Sequence, residues 1–193
     1  LTYKKLKDFI NFIPGINQSR ADNQLSSQAI KYYDQSAFEL DFYFENNTKM
    51  EKILELLPNK SFLHTGDVVI SNTKQVAAIV GEGNAGKVLP MNFTKVEFLN
   101  EFLDKRYFLF LFNSFKDIRR QKERETQGTA SIQKIPIYSL GELLIPDVAL
   151  SQQKLMGSSY VQMLQIQNKF KKCAAITESL TCSILENAIK EMK

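Results

Sequence analysis

Residues 151–193 read SQQKLMGSSYVQMLQIQNKFKKCAAITESLTCSILENAIKEMK, without proline and with a single glycine, Gly157. An uninterrupted run of this kind predicts one long helix. Met163, Ile166, Phe170, Cys173, Thr177, Leu180 and Ile184 recur three and four apart, the a/d pattern of a coiled-coil seam with one polar interruption at Thr177. A seam of this type requires a partner helix. Forty-three residues at about 1.5 Å each would make a rod of roughly 60 Å, longer than a domain built from the remaining chain. Ser151 is the expected N-cap, after Pro146 closes the preceding segment. The same spacing leaves open an ordinary amphipathic helix packed on its own domain.

Outward from the helix, the 193 residues leave room for one globular unit over 1–150, with 151–193 as the helix. Fourteen Phe and seven Tyr supply much of its core. No apolar stretch reaches bilayer length, and LTYKKLKDF lacks the apolar centre of a signal peptide, so a cytoplasmic protein without a membrane partner is expected. A chain opening on Leu1 is expected to lack an initiating residue or a longer upstream segment. Cys173 and Cys182 fall on different sides of the helix, which argues against a disulfide or a metal pair and for reduced thiols. The net charge of +4 is unevenly spread. Residues 105–134 carry eight Lys or Arg against three Asp or Glu, a surplus of five. Such a patch suits phosphates. It is equally the composition of a solvated helix face with internal Lys/Glu pairs.

Composition and pattern predict an α+β fold. The segment from Leu6 to Gln24 reads as a turn at Pro14-Gly15 and an exposed loop that tethers the N-terminus. Phe38, Leu40, Phe42 and Phe44 alternate with Glu39, Asp41 and Tyr43, the period of a half-buried strand. Residues 46–60 read as a polar turn and short helix. Strands are expected over Asp67 to Ser71 and Gln75 to Val80, joined by Asn72-Thr73-Lys74, within a meander. Asp104 is the expected cap of a helix running from Lys105 to about Glu125, apolar first and basic after Lys116. Gly128-Thr129 ends it, and Ile132, Ile135 and Ile137 predict an extended segment around Pro136. No internal repeat is evident.

Catalytic motifs are scarce. Gly81-Glu82-Gly83-Asn84-Ala85-Gly86-Lys87 satisfies G-x-G-x-x-G and approaches the phosphate-binding G-x-x-x-x-G-K-[ST] pattern. Val88 stands where a magnesium-binding hydroxyl is needed, and Val88-Leu89-Pro90 argues against the helix that should follow. A turn needing positive φ accounts for the glycines instead. The single histidine, His64, and two distant cysteines assemble neither a zinc site nor a Ser-His-Asp triad. Nothing matches the Asn/Asp-Pro-Pro-Tyr/Phe site of an amino-methyltransferase. A non-catalytic chain with no cofactor or metal of its own is expected.

The order of several short motifs resembles the DNA-specificity subunit of type I restriction-modification systems. These are Gly66-Asp67-Val68-Val69-Ile70-Ser71, the glycine turn, the apolar helix entering a basic stretch, Gln127-Gly128-Thr129-Ala130, and Ile135-Pro136-Ile137. Leu143-Leu144-Ile145-Pro146 then leads through Leu150 to Gln153, matching the I-P-x-x-x-L-x-x-Q opening of that family's spacer helix. The resemblance spans roughly Leu6 to the C-terminus. It implies an α+β target-recognition domain with a twisted sheet and short helices, followed by one coiled-coil-type helix. Family subunits carry two recognition domains and two antiparallel helices, which act as a ruler and dock two methyltransferase subunits. This chain has one of each, so the resemblance implies a half-subunit, natural or cut from a longer parent, that homodimerises through the seam. The implied ligand is double-stranded DNA with a bipartite, inverted-repeat target. S-adenosylmethionine and ATP/Mg are implied only for partner methyltransferase and nuclease/translocase subunits, the methyltransferase flipping the target adenine. Charge and loop position nominate Lys116, Arg119, Arg120, Lys122 and Arg124 for the phosphate backbone. They nominate Lys74, Gln75, Gln127, Thr129, Ser131 and Lys134 for base edges or grooves. Two other readings remain at this stage: a coiled-coil adaptor with an incidental basic patch, and a nucleotide hydrolase using Gly81 to Lys87.

Overall fold

A computed structural model describes residues 2–19, 31–45, 62–129 and 132–191, with backbone alone over 127–129 and 132–134. Its centre is a four-stranded antiparallel sheet in the order β2-β5-β3-β4, formed by β2 (Ile10–Pro14), β3 (Val68–Ser71), β4 (Val76–Ile79) and β5 (Phe93–Phe98). Val68 faces Val96 on one side and Ile79 on the other. All four residues of β3 are buried, because both faces of the sheet are covered. Val68, Ile70, Ala77 and Val96 join the main core with α2 (Lys105–Ser114) and α5 (Leu150–Glu191). Val69, Ala78 and Phe93 point the other way, onto Tyr33 and Phe38 beside α1 (Gln35–Phe42). The hairpin expected from Asp67 to Val80 is therefore present, at the centre of the fold.

Two short strand pairs and two short helices complete the body. The strand β1 (Tyr3–Lys5) pairs with β8 (Leu144–Pro146), and β6 (Gln127–Thr129) pairs with β7 (Ile132–Lys134). The helix α3 (Lys116–Glu125) precedes β6, and α4 (Ile137–Glu142) precedes β8. Pro136 thus follows a strand, as its extended surroundings suggested, but caps a short helix that was not expected.

The remaining departures have local causes. The segment expected as a strand at 38–44 is helical through Phe42. Asp34 caps it, its carboxylate accepting from Ala37 N at 2.7 Å. Phe38 and Phe42 fit a period of two but also stand four apart, and they stack at 6.2 Å on the helix. Buried Asp41 accepts from the Tyr33 hydroxyl at 2.8 Å and from Gly81 N at 2.9 Å, which a solvent-facing strand position would not allow. The opening residues are structural rather than a tether: β1 and β2 both pair, and a Cβ on Gly15 would lie 2.0 Å from Pro90 O. The short helix expected within 46–60 lies outside the described residues.

Asp104 does cap α2, accepting from Arg106 N at 2.9 Å and Tyr107 N at 3.0 Å. The helix expected to reach Glu125 is nonetheless two helices, broken where Phe115 turns extended (φ −69°, ψ 123°). That break leaves the carbonyl of Phe112 without the amide of residue 116, and the Lys122 ammonium replaces it at 2.6 Å. Residues 82–84 make a single tight turn, and only Gly86 within the motif takes positive φ, at 81°. Val88 then bridges Tyr32 and Phe62, so the glycines do not lead into a helix as the phosphate-binding pattern requires. No described helix is long and apolar enough to cross a membrane.

The long helix begins at Leu150, one residue earlier than expected, with Ser151 inside its first turn rather than capping it. Its 42 residues extend about 60 Å. Gln153, Gly157, Tyr160, Val161 and Leu164 are buried, and Tyr160 and Leu164 belong to the main core. A division of the chain after residue 150 therefore cuts through the core.

Candidate nucleic-acid interface

The turn between β3 and β4, the helix α3 and the base of the β6–β7 hairpin converge on a cavity of about 340 Å³, whose lining includes Lys74, Gln75, Arg119 and Thr126. The turn owes its shape to Gln75, held at φ 51° in the left-handed region. Gln75 Nε2 donates to Asn72 O at 2.8 Å, while its Oε1 is buried without a hydrogen-bond partner among the described residues. Asn113 braces the strand that follows, its amide both accepting from Ala77 N at 2.7 Å and donating to Ala77 O at 2.9 Å. Lys74 is exposed and reaches Glu39 at 2.6 Å, an open ion pair of little stabilising value that a phosphate could displace.

On α3, burial of Ile118 turns Lys116, Arg119, Arg120 and Arg124 to solvent. The Arg120 guanidinium comes within 3.8 Å of Asp117 and stays 71% exposed. Arg119 borders the cavity beside Lys74, whereas Arg124 borders a second hollow with Tyr138 and Gln121. The basic surface thus spreads across one helix face instead of closing on one point.

Lys122 is the correction in this set. Expected on the phosphate-facing surface, it is buried, with Nζ donating to Gln75 O at 2.7 Å and Phe112 O at 2.6 Å and lying 4.0 Å from the centre of the Phe112 ring. Burial, with a lesser push from the Arg119 charge, lowers its pKa from 10.5 to about 8. It is a latch between α3 and the β3–β4 turn. A lysine in a run of charge normally faces water, so nothing in the sequence marks this one.

Gln127 lies opposite Lys134 and Thr129 opposite Ile132 in the hairpin backbone. Ser131 lies outside the described residues. Thr126 ties the hairpin's base to α3 through a 2.7 Å bond from its hydroxyl to Lys122 O. Among the described residues no group of three His, Cys, Asp or Glu could hold a metal.

On the long helix, the buried residues Gln153, Gly157, Tyr160, Val161 and Leu164 define one face, and the expected seam lies roughly opposite. Met163, Ile166, Phe170, Leu180 and Ile184 are between 40% and 70% exposed. Cys173 and Thr177 are exposed too, with the Thr177 hydroxyl donating to Cys173 O at 2.9 Å. Leu155 adds to this outward apolar surface and was not part of the seam read from spacing, while Ile176 and Ile189 are exposed on other sides of the helix. Leu155 stands eight residues before Met163, outside the three-four alternation of the seam but on the same side of a straight helix. Midway, Glu45 grips the helix through Lys172 at 2.8 Å and through Asn168, and Lys171 reaches the Tyr43 hydroxyl at 2.6 Å.

No protein-family model matches this chain, and no curated protein matches it. Solved structures do. A chain from the type I R-M system, in a structure of its complex assembly and conformational transition, aligns with a TM-score of 0.59 at 14% identity. That alignment covers 92% of this chain and 42% of the other. The HsdS subunit from Thermoanaerobacter tengcongensis aligns with a TM-score of 0.59 at 18% identity, covering 93% of this chain and 46% of that one. The α+β fold with its long C-terminal helix is therefore that of type I restriction-modification specificity subunits. This chain spans less than half the length of each.

Proposed function

We propose that the protein is the DNA sequence-recognition component of a type I restriction-modification complex, present as one recognition domain on one spacer helix. The observation that carries this reading is the helix itself: one face packs on the domain while the opposite face presents an unpaired apolar seam. Full burial of a large apolar side chain contributes about 1.5–3 kcal/mol. Five such residues per chain, each about half exposed, together gain roughly 8–17 kcal/mol in a pair of chains, comparable with the cost of association, about 4–15 kcal/mol. Two chains joined by this seam carry two recognition domains related by a two-fold axis, which suits a bipartite, inverted-repeat duplex target. Lys116, Arg119, Arg120 and Arg124 meet phosphates, and Lys74, Gln127, Thr129, Ser131 and Lys134 meet bases, whereas Gln75, nominated with them, has its amide turned into the β3–β4 turn and shapes that turn instead. Lys122 holds the β3–β4 turn in place and touches no DNA. The helix pair docks methyltransferase subunits, which bring S-adenosylmethionine, while ATP/Mg belongs to a nuclease/translocase subunit. The chain itself does no chemistry.

The test is solution mass by light scattering, on the intact chain and on one ending at Lys172. The shorter form keeps Tyr160, Leu164 and the Glu45–Lys172 pair, so the core survives. A dimer that becomes a monomer on truncation, together with DNA binding that weakens steeply with salt, supports the proposal. A monomeric intact chain that binds no duplex overturns it.

A further inference from the structure

We propose that Gln153 and Gly157 form a fixed joint between the recognition domain and the long helix, and that this joint sets the separation of the two half-sites. The second clause rests on the reading of a paired, bipartite recognition unit.

The first component of the joint is one buried side-chain amide. Gln153 Oε1 accepts from Asp104 N at 2.9 Å, and Nε2 donates to Phe102 O at 3.0 Å and Val148 O at 2.8 Å. Asp104 is also the cap of α2, and Val148 lies just before α5. A single amide therefore ties the starts of both helices together, using both of its donors and its acceptor oxygen. The second component is a close crossing one turn later. A Cβ on Gly157 would lie 2.5 Å from Tyr107 N and 2.7 Å from Arg106 C, so the two backbones meet where only glycine fits.

Tyr160 then bonds Ser114 at 3.1 Å and packs on the Phe110 ring at 5.8 Å, and Leu164 closes the face. Fixed at 153, 157, 160 and 164, the helix axis has a defined direction, and any error at the base is magnified toward the tip. A shift of about 1 Å at Gly157, pivoting about Leu164 roughly 10 Å away, displaces Cys182 by roughly 3 Å. That is about one base-pair step of duplex, about 3.4 Å.

The exposed Cys182 supplies a labelling site. In a Cys173→Ser background, a second label at Met91→Cys, an exposed turn position, reports the domain-to-helix distance. Dilution into unlabelled full-length protein restricts the electron-spin measurement to distances within one chain. One narrow distance is expected for the parent protein. Gly157→Ala should shift it measurably, by up to roughly 3 Å. Gln153→Met, similar in size but unable to hydrogen-bond, should broaden it. Selection of duplexes with randomised spacers should then favour a different or less defined spacing for both variants. A broad distribution in the parent overturns the fixed joint whether or not the variants fold. Folded variants with the parent's distance overturn it also. Altered distances with an unchanged spacer preference overturn the spacing role. Failure of the parent to bind any duplex removes that role together with the reading beneath it, while leaving the measured distance to stand alone.

Discussion

Replacing Lys122 by methionine separates the cost of a buried charge from the value of the hydrogen bonds it makes. In the folded chain the Lys122 pKa is lowered from 10.5 to about 8, chiefly by burial and secondarily by Arg119. The unfolded chain therefore holds the proton more tightly, and between pH 8 and 10.5 it binds more protons than the folded one. Stability must rise with pH through that window. Below pH 8 the group costs about 3 kcal/mol, from about 1.4 kcal/mol per pH unit. About 2 kcal/mol of this is recovered between pH 7 and pH 9.5. The two carbonyls favour the charged form, which makes these figures upper values. Methionine removes the charge but leaves Gln75 O and Phe112 O without their donor, at about 1–3 kcal/mol each. The opposing effects leave the variant slightly less stable at pH 7. The informative quantity is the gap between the two proteins, which should widen by up to about 2 kcal/mol at pH 9.5 because only the parent gains. Urea unfolding at both pH values measures it, and taking the difference cancels the other titrating groups, including Tyr33, whose burial raises its pKa well above 10. Parallel pH profiles for parent and variant would refute the buried, depressed lysine.

Gly15→Ala should cost about 3 kcal/mol, since the added carbon would sit 2.0 Å from Pro90 O and 2.8 Å from Leu89 O, both backbone atoms. A thermal midpoint close to the parent's would contradict that packing. Asp34→Ala should cost about 1 kcal/mol by removing the cap of α1, while Asp34→Asn should recover most of it, as read by urea midpoints. A double Arg119→Ala/Arg120→Ala change should weaken duplex binding across sequences and lower the slope of log affinity against log salt by about 2, from about 0.9 per phosphate contact. An unchanged slope would take this face of α3 out of the interface.

Elements whose stabilising partners are near in sequence were legible. The β3–β4 hairpin declares itself by β-branched runs around a polar turn, and α2 by Asp104 beside its first turn. Elements fixed from a distance were not. The break at Phe115 has no glycine or proline to announce it, because the group that satisfies Phe112 O comes from Lys122, ten residues on. The helix at 35–42 shares Phe38 and Phe42 with the strand pattern, and the deciding observation is Asp41 meeting Tyr33 and Gly81 in space. In the candidate interface, Arg119, Arg120 and Lys74 are exposed, as a phosphate contact requires, while Lys122 is buried. Gln153 appeared in the motif that opens the helix, yet its work is visible only beside Phe102 and Asp104, some fifty positions earlier in the chain.

The two readings of the C-terminal stretch, a seam awaiting a partner and a helix packed on its own domain, turn out to describe different faces and different lengths of one element. From Gln153 to Leu164 the inner face is core, and the polar links to Tyr43 and Glu45 continue to Lys172. Beyond Lys172 the helix continues through residues 173–191, and this stretch, with Ile176, Leu180, Ile184, Leu185 and Ile189 all more than half exposed, rests on nothing described. Isolated helices of that length are marginal in water, because their stability in proteins comes mainly from packing an apolar face. The docked half supplies the nucleus, since propagation from an existing helix avoids the cost of starting one. What it cannot supply is cover for the outward leucines and isoleucines. The apolar surface of the seam therefore favours association independently of any likeness to other proteins, and under the proposed joint a partner would lie along the direction that Gln153 and Gly157 give the helix.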